Sequence, residues 1–298
     1  MLNIQSNGTR RLVTGLLFLS PAICLLLAII AFPLGYAIYT SLFRIRGLNM
    51  KFIGLKNYVS VLTDSDFWNA AVVSVQYTVV SVALHISIGL LLALILNRIV
   101  NFRSTFRLLL MTPWVVAPSV SAVIWMWMLE PQFGIANYLL MTAGIISQPV
   151  EWLGQPGSAF ASIVAVDVWR GTPFIMVLLL AALQGVPQSQ YEAAEIDGAN
   201  TWQQFWYVTL PNIRYMLIIA STLDAIDCMR QFDSISVLTG GGPISATEVV
   251  PVLIYNEAFR ANKLGEAAAT GVIFMVLIFA ITVAYLFISS KTEKGATE

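Results

Sequence analysis

Long stretches without charge limit this chain to very few architectures. Residues 12–43 contain no Asp, Glu, Lys or Arg, and residues 67–97 form a second such run. Crossing the hydrocarbon core of a bilayer takes about 20 apolar residues, so each run is long enough to span a membrane. Of the 298 residues, 58% are hydrophobic and only 11% are charged, which is more apolar surface than a soluble domain can bury. The sequence therefore predicts an all-α membrane protein.

The remaining apolar stretches predict about six transmembrane helices in total, with the core spans over residues 67–290. The fourth and fifth stretches are interrupted by charged residues, and a helix long enough to cross the bilayer must include them. Asp167 and Arg170 lie three residues apart in the fourth span, on one helical face, where they can pair. The predicted spans are residues 15–42, 67–97, 108–129, 159–183, 214–238 and 267–290.

The charges of the loops favour a cytoplasmic N-terminus, because Lys and Arg are then more frequent on the cytoplasmic side. An even number of spans places both termini in the cytoplasm. Residues 1–298 are predicted to form a single transmembrane domain. The loops expected outside are residues 44–66, 131–157 (with a short helix over 135–141) and 239–263, and the loop expected inside is residues 185–212.

The polar loop over residues 185–212 contains signals for two short helices. Ser189 can cap the first helix through its hydroxyl group. Gly198 permits the left-handed turn that ends this helix. A second helical piece, over residues 202–208, is expected to end before Pro211, which can begin the next span. The pattern predicts a helix–turn–helix that projects from the membrane.

Two interpretations of this loop follow from its residues. It is either a solvated connector between two spans or a surface that binds another protein. The first helix is short, acidic and poor in bulky side chains, so a groove on a partner can admit it. Aromatic residues are enriched at protein interfaces, which favours the second interpretation. The aromatic residues expected to be exposed are Trp202, Phe205, Trp206 and Tyr207.

Three motifs of this loop resemble the EAA loop of binding-protein-dependent ABC importer permeases: Glu192-Ala193-Ala194, then Gly198, then Val208-Thr209-Leu210-Pro211. Val208 stands where the family usually has isoleucine. The short polar tail after the last span is similar to the first of the two permease types found in maltose-type transporters, since the second type usually has a longer tail. Further resemblance to this sugar-permease branch lies in residues 52–58, Trp169 with Pro173-Phe174, residues 191–199 and residues 232–243.

The resemblance implies a type I ABC importer permease fold with a cytoplasmic EAA coupling loop. It implies that this loop binds a cytoplasmic ATPase dimer, which uses ATP and Mg to drive alternating access, while this chain holds no cofactor. A second permease subunit, expected to be a different chain, and an extracytoplasmic substrate-binding protein complete the system. The expected cargo is a mono-, di- or oligosaccharide, and the expected location is the inner membrane of a bacterial or archaeal cell. The coupling residues implied are Glu192, Ala193, Ala194, Glu195, Asp197, Gly198, Val208, Leu210 and Pro211.

Other classes of function find little support in the sequence. No G-x-x-x-x-G-K-[ST] phosphate loop occurs, so ATP hydrolysis and catalysis are not expected on this chain. Two distant cysteines and a single histidine, His85, predict no metal site, and His85 is assigned to packing. A net charge of zero provides no basic surface for nucleic acid. Two alternatives remain: an ABC permease for a non-sugar solute such as a glycerol-phosphate ester, and a proton-coupled secondary transporter, because intramembrane carboxylates can carry protons.

Polar residues of the fifth span are candidates for substrate contact. At about 100° per residue, four of them share one side of a helix, whereas Arg230 lies at its margin and Asp233 points nearly opposite. Acids and amides bind sugar hydroxyls, and an indole ring stacks on a sugar ring, although tryptophans also form interfacial belts. Two interpretations stay open, a substrate path and a network of charges that holds the helices together. The path candidates are Asp224, Asp227, Arg230, Gln231, Ser234, Trp125 and Trp127.

Overall fold

The computed structural model describes residues 17–46, 49–98 and 103–294, and they form a mostly helical protein. The described chain divides into two compact units. The first combines residues 17–63 with Ile254–Ile273, and the second combines Asp64–Leu253 with residues 274–294.

The first unit begins with helix α1, Leu17–Ser41, which contains a π-helical segment at Leu27–Ala31. A hairpin of β1 (Phe43–Arg46) and β2 (Asn49–Phe52) follows, although the sequence predicted only a polar loop there. Helix α2, Lys56–Thr63, is tied back to α1 and β1, because Asn57 Nδ2 donates to the carbonyl oxygens of Ser41 (2.7 Å) and Phe43 (2.9 Å).

The second unit contains the long helix α3, Ser65–Arg98, and the central helix α7, Pro156–Gln184. Gly89 of α3 lets the two backbones approach, since a Cβ there would lie 3.1 Å from Ile175 Cγ2 and 3.2 Å from the backbone nitrogen of Met176. Between them in sequence are α4 (Arg103–Val115), α5 (Pro118–Met128) and α6 (Ile135–Thr142). Helix α6 confirms the short helix predicted over residues 135–141.

The later elements of the chain are mostly short helices before one long final helix. Helix α13 crosses the boundary between the two units, as does α12. The elements are α8 (Gln188–Ile196), α9 (Thr201–Gln204), a π-helical segment (Phe205–Thr209), α10 (Leu210–Met229), α11 (Asp233–Leu238), α12 (Val250–Tyr255), a π-helical segment (Asn256–Arg260) and α13 (Leu264–Lys294).

Four described helices are long and apolar enough to cross a membrane: Leu17–Ser41, Ser65–Arg98, Pro156–Gln184 and Leu264–Val283. The third predicted span, residues 108–129, is not one helix, because α4 and α5 meet at an angle of 92°. Ala117 adopts an extended conformation (φ −57°, ψ 138°), as the residue before a proline prefers, and this breaks the helix ahead of Pro118. Counting the bent pair as one span gives five candidates.

The fifth predicted span, residues 214–238, also differs from the structure. Its helix α10 ends at Met229, and a new helix, α11, starts at Asp233 after a three-residue break. Helix α10 has 20 residues but contains Arg214, Asp224 and Asp227, so composition alone does not mark it as a span. A crossing by α10 therefore stays a prediction.

The loop between α7 and α10 has the predicted two helical pieces and turn. Gly198 has a φ of +79°, which confirms the left-handed turn after α8. Capping by Ser189 is wrong, because Pro187 precedes α8 and no side chain caps it. Asn200 instead forms a capping box with Gln203 at the start of α9, a signal that the prediction missed.

The second helical piece does not end before Pro211. The π-helical segment carries it directly into α10, where Leu210 N bonds to Phe205 O. Proline has no N–H for the helical ladder, and the change of register just ahead of it lets the helix continue.

Candidate functional site

His85 of α3 lies at the centre of a buried polar cluster. Its Nδ1 atom is 2.9 Å from Oδ2 and 3.1 Å from Oδ1 of Asp224, on α10. Its Nε2 atom is 3.1 Å from the backbone oxygen of Asp167, on α7. Only 1% of the His85 surface is exposed. His85 is buried, as its assignment to packing requires, and in addition it joins three helices through polar contacts that the sequence did not predict.

Both ring nitrogens of His85 face atoms that can only accept hydrogen bonds. An ionised carboxylate and a backbone carbonyl have no hydrogen to donate, so both contacts are satisfied when both nitrogens carry hydrogen. A His85 ring that carries both hydrogens is a cation, and its Nδ1 lies 2.9 Å from Oδ2 of Asp224. Asp167 in turn is paired with Arg170, whose Nη2 lies 3.5 Å from Asp167 Oδ1. That pair confirms the one predicted within the fourth span.

Asp167 is the second hub of the cluster. Gln231 Nε2 donates to its Oδ1 atom at 3.2 Å, and Cys228 Sγ lies 3.7 Å from its Oδ2 atom. Gln231 sits in the break between α10 and α11, so this contact ties the break to α7. We define the buried cluster as His85, Asp167, Asp224, Cys228 and Gln231.

Three groups of the buried cluster are close enough to share a metal ion, since the ligand atoms of His85, Asp167 and Cys228 lie within 4.8 Å of one another. However, the imidazole and the thiol are directed at acceptor oxygens of Asp167. The guanidinium of Arg170 also supplies positive charge to the same carboxylate. The arrangement fits a hydrogen-bonded charge network better than a metal centre.

Gly171 allows the His85 ring to reach this position. A Cβ at residue 171 would lie 2.7 Å from both Cε1 and Nε2 of His85, closer than real contacts permit. Gly171 and the His85 ring lie in the tightly packed region between α3 and α7, where the backbones cannot easily move apart.

We expect Gly171→Ala to lower the stability of the folded protein by about 1–3 kcal/mol, the usual cost of overpacking a core. The melting temperature of the purified protein in detergent measures this effect. Gly157→Ala is the matched control on the same helix, because a Cβ there meets nothing within 4 Å. Equal melting temperatures for the two variants would show that the His85 ring does not need the space at Gly171.

The predicted substrate-path residues do not lie together. Asp224, Gln231 and Ser234 are buried, with exposures of 7%, 8% and 3%. The side chains of Asp227 and Arg230 are instead 62% and 65% exposed, and Arg230 Nη2 lies 3.5 Å from Asp227 Oδ1. The structure therefore divides the predicted face into a buried part and an exposed part.

Arg170 connects the two parts. Its Nη2 atom lies 3.5 Å from Asp167 in the buried cluster and 3.9 Å from Asp227 on the exposed side. We call Asp227 and Arg230, together with the partly buried Arg170 that reaches them, the exposed charged group. Its two cations and one anion leave it with one net positive charge, although Arg170 is already shared with Asp167.

The two predicted tryptophans also separate. Trp127 is 68% exposed, whereas Trp125 is partly buried and packs edge-on against Trp169 with ring centroids 5.6 Å apart. Among the residues that the structure describes, Trp125 Nε1 is buried without a hydrogen-bond partner, and so are the hydroxyls of Thr78, Ser81 and Thr172. Sequence reasoning missed these hydroxyls, because single Ser and Thr residues are common in membrane helices.

The coupling-loop residues form a compact projection. Tyr191 OH lies 3.0 Å from Thr209 Oγ1, and Asn212 Nδ2 donates to Gln190 Oε1 at 2.7 Å, so α8 is fastened to the helix that becomes α10. The exposed coupling residues are Glu192, Ala193, Glu195, Asp197, Gly198 and Pro211, and the half-buried ones are Ala194, Val208 and Leu210.

The predicted aromatic surface is present on this projection. Trp202, Trp206 and Tyr207 are 68%, 47% and 80% exposed. Phe205 is half-buried and stacks on Trp202 with ring centroids 5.9 Å apart. A rigid projection with an acidic helix and exposed aromatic rings has the features of a protein-binding surface.

Comparisons with known proteins identify the family. Residues 85–294 match the family described as binding-protein-dependent transport system inner membrane component. The trehalose/maltose transport system permease protein MalF of Thermococcus litoralis is 40% identical, over 91% of this chain and 92% of its own length. The sn-glycerol-3-phosphate transport system permease protein UgpA of Agrobacterium fabrum is 32% identical, over 94% of this chain and 96% of its own length.

A solved structure shows the same fold. A chain of a bacterial ABC transporter involved in the import of the acidic polysaccharide alginate superimposes with a TM-score of 0.83. It is 21% identical, and the match covers 97% of this chain and 99% of that chain. The architecture is that of a type I ABC importer permease.

A multi-pass helical protein with these matches is a permease subunit of an ABC transport system of the inner membrane. The chain belongs to the binding-protein-dependent transport family and is homologous to the MalF-type sugar permeases. In such a system the ATPase is a separate component. Membership of this family therefore rules out the alternative that the chain is a proton-coupled secondary transporter.

Proposed function

We propose that this permease imports a carbohydrate, driven by a cytoplasmic ATPase dimer that hydrolyses ATP with Mg as its metal cofactor. The observation that carries the proposal is the 40% identity to a trehalose/maltose permease along 91% of the chain. A glycerol-phosphate ester is the second candidate, because UgpA is 32% identical over a similar length. The exposed charged group favours the neutral sugar, since its arginines are balanced by Asp227 and Asp167 rather than left open for a phosphate.

Uptake by reconstituted vesicles tests this proposal. The permease is co-purified with its ATPase, its second permease subunit and its substrate-binding protein, and the vesicles are supplied with ATP. We expect accumulation of labelled trehalose, maltose or another neutral saccharide and none of labelled sn-glycerol-3-phosphate. Uptake of the phosphate ester alone would contradict the carbohydrate assignment and support the second candidate.

In our proposal the substrate passes the exposed charged group and the exposed ring of Trp127. Charged residues inside a membrane protein usually face a cavity or a partner, and the side chains of Asp227 and Arg230 are exposed. The ring of Trp127 is 68% exposed and offers an apolar face on which a sugar ring can stack. Asp224, Gln231 and Ser234 act indirectly, by holding the helices in place.

Removal of the Asp227 carboxylate tests this division of roles. We expect Asp227→Ala to reduce ATP-driven uptake about tenfold, because a hydrogen bond to a charged group contributes about 1.5–3 kcal/mol. Assembly and basal ATPase activity should be preserved, since the Asp227 side chain is 62% exposed and its ion contacts with Arg230 and Arg170 are long, at 3.5 Å and 3.9 Å.

The matched control for this prediction is Asp66→Ala, which removes an exposed carboxylate near the start of α3 and should leave uptake unchanged. Normal uptake by Asp227→Ala would remove this residue from the substrate path. A general loss of the folded complex would instead assign Asp227 to the structural network.

We further propose that residues 185–212 bind the ATPase from the cytoplasm, with both termini on that side and the loops at 44–66, 131–157 and 239–263 outside. The acidic helix α8 and the aromatic surface support a protein contact, and the bonds of Tyr191 and Asn212 give the loop the stiffness of a lever. The coupling residues named from the EAA resemblance all lie on this projection. A second permease subunit, a different chain, completes the path.

A further inference from the structure

The loop between α11 and α12 holds an isoleucine in an unusual backbone conformation. Ile244 has a φ of +50° and Ser245 a φ of +56°, so two consecutive residues with side chains occupy the left-handed region. For a β-branched residue this region is a genuine outlier, because its Cβ crowds the backbone. The conformation is opposed by the residue itself and must be imposed by the rest of the loop.

Side-chain hydrogen bonds within the loop hold this conformation. Thr247 is fully buried, and its Oγ1 atom donates to the carbonyl of Gly242 at 2.7 Å and lies 2.7 Å from Thr239 Oγ1. Ser245 Oγ donates to Glu248 Oε2 at 2.7 Å. These bonds fix both sides of the residue that carries the strain.

The rest of the second unit supports the loop as well. Asn69 Nδ2, on α3, donates to the carbonyl of Ser245 at 3.2 Å. Gly241 has a φ of +96°, and a Cβ there would lie 3.1 Å from Glu248 Cβ, so the turn is closely packed. These contacts therefore hold the backbone of residues 244 and 245 in a fixed position.

The side chain of Ile244 makes almost no packing contacts, since it is 91% exposed. A single exposed isoleucine is ordinary on a protein surface. An exposed isoleucine held in a strained conformation is different, because it gains no packing that would offset the strain. Such outliers are concentrated at binding and catalytic sites.

We propose that Ile244 is an anchor that inserts into an apolar recess on the extracytoplasmic substrate-binding protein. This inference rests on the proposed function, which places residues 239–263 outside and supplies the partner. Burial of an aliphatic side chain favours association, and a rigid loop loses little conformational freedom when it binds. The partner is thus a protein with a small apolar pocket at its docking face.

The decisive variant is Ile244→Asn, because asparagine tolerates the left-handed region but has no aliphatic side chain. The assay is stimulation of ATPase activity in the reconstituted complex by increasing amounts of the substrate-loaded binding protein. We expect the half-saturating concentration to rise about tenfold or more, as for a central anchor residue. Basal ATPase activity should stay the same, and Ile244→Leu should remain close to wild type.

Ile145→Asn is the matched control, because Ile145 is also an exposed isoleucine, 68% exposed, in another loop predicted outside. It should not change the stimulation. Unchanged stimulation in Ile244→Asn would overturn the inference, and so would an equal loss in Ile145→Asn, which would indicate a general requirement for apolar surface. If the binding protein does not stimulate even the wild-type complex, the proposed function fails together with the inference.

Thiol labelling provides an independent measurement. Ile244→Cys is prepared with Cys24→Ser, because Cys24 is exposed whereas Cys228 is buried. We expect a membrane-impermeant maleimide to label residue 244 from outside and the binding protein to protect it. Labelling from the cytoplasmic side, labelling only by lipid-soluble reagents, or an absence of protection would each contradict the assignment.

Discussion

Gly198→Val should reduce ATP-driven uptake more than about tenfold, because it changes the direction in which the coupling helix leaves its turn. Helix α8 ends in a Schellman motif: Ala199 N bonds to Ala194 O at 2.9 Å, and Gly198 N bonds to Glu195 O at 3.0 Å. Gly198 sits at its left-handed position with a φ of +79°. A residue with a side chain costs about 1–2 kcal/mol there, and a β-branched residue costs more. The turn would therefore rearrange.

The rearrangement matters because α8 is held at two places. Tyr191 and Asn212 fasten it to the segment that enters α10, and the Schellman turn sets its angle to α9. A changed angle would misplace the exposed acidic residues relative to the ATPase. Uptake and substrate-stimulated ATPase activity, measured on the reconstituted complex, report the loss.

Two further variants isolate this effect. Gly198→Asn should keep most of the uptake, because asparagine adopts the left-handed region more readily than valine. Gly144→Val introduces the same strain after helix α6, where Gly144 has a φ of +70° and open space around it, and it should leave coupling intact. Normal uptake in Gly198→Val would indicate that the loop is only a connector.

The sequence predicted the apolar spans well, because membrane crossing depends on length and hydrophobicity, which are local properties. The runs at residues 67–97 and 159–183 correspond to α3 and α7, and the run at 267–290 lies within α13. The outline of the coupling loop was also correct. Its turn depends on a glycine, whose conformational freedom can be read from one position.

The helix breaks were not predicted, for two different reasons. The break ahead of Pro118 has a local cause, and hydrophobicity alone concealed it. The break after Met229 contains neither glycine nor proline. Its Gln231 is held by Asp167, 64 residues away in the sequence, so the break depends on tertiary contacts that no local pattern contains.

The contact between His85 and Asp224 was missed for the same physical reason, although a network of charges between the helices was one of the two interpretations. His85 and Asp224 are separated by 139 residues, and no motif near either residue indicates that the two are in contact. One signal was present: Asp224 is a carboxylate within a span, and such groups need a partner. Asp167 could pair with Arg170 on its own helix. His85, on another span, was then the remaining candidate partner for Asp224.

The strongest effect on stability is expected from breaking the contact between His85 and Asp224. His85→Leu leaves the Asp224 carboxylate buried without its partner, and Asp224→Leu leaves the buried Nδ1 of His85 without its acceptor. Removing one partner of a buried ion pair typically costs about 3–5 kcal/mol. We expect each single variant to lower both the melting temperature and the yield of assembled complex.

The double variant His85→Leu/Asp224→Leu should recover a large part of the lost stability, because both charges are removed together and apolar residues fill the site. Asp167 keeps its partner Arg170 in this variant, so no new charge is left unpaired. A double-mutant cycle measures the coupling, and losses that simply add would show that the two residues do not act as a pair. His85→Gln and Asp224→Asn extend the cycle if a leucine variant fails to fold. A double variant that is stable but transports poorly would place the pair in the motion of α3 against α10, whereas full transport would confine it to holding the helices together.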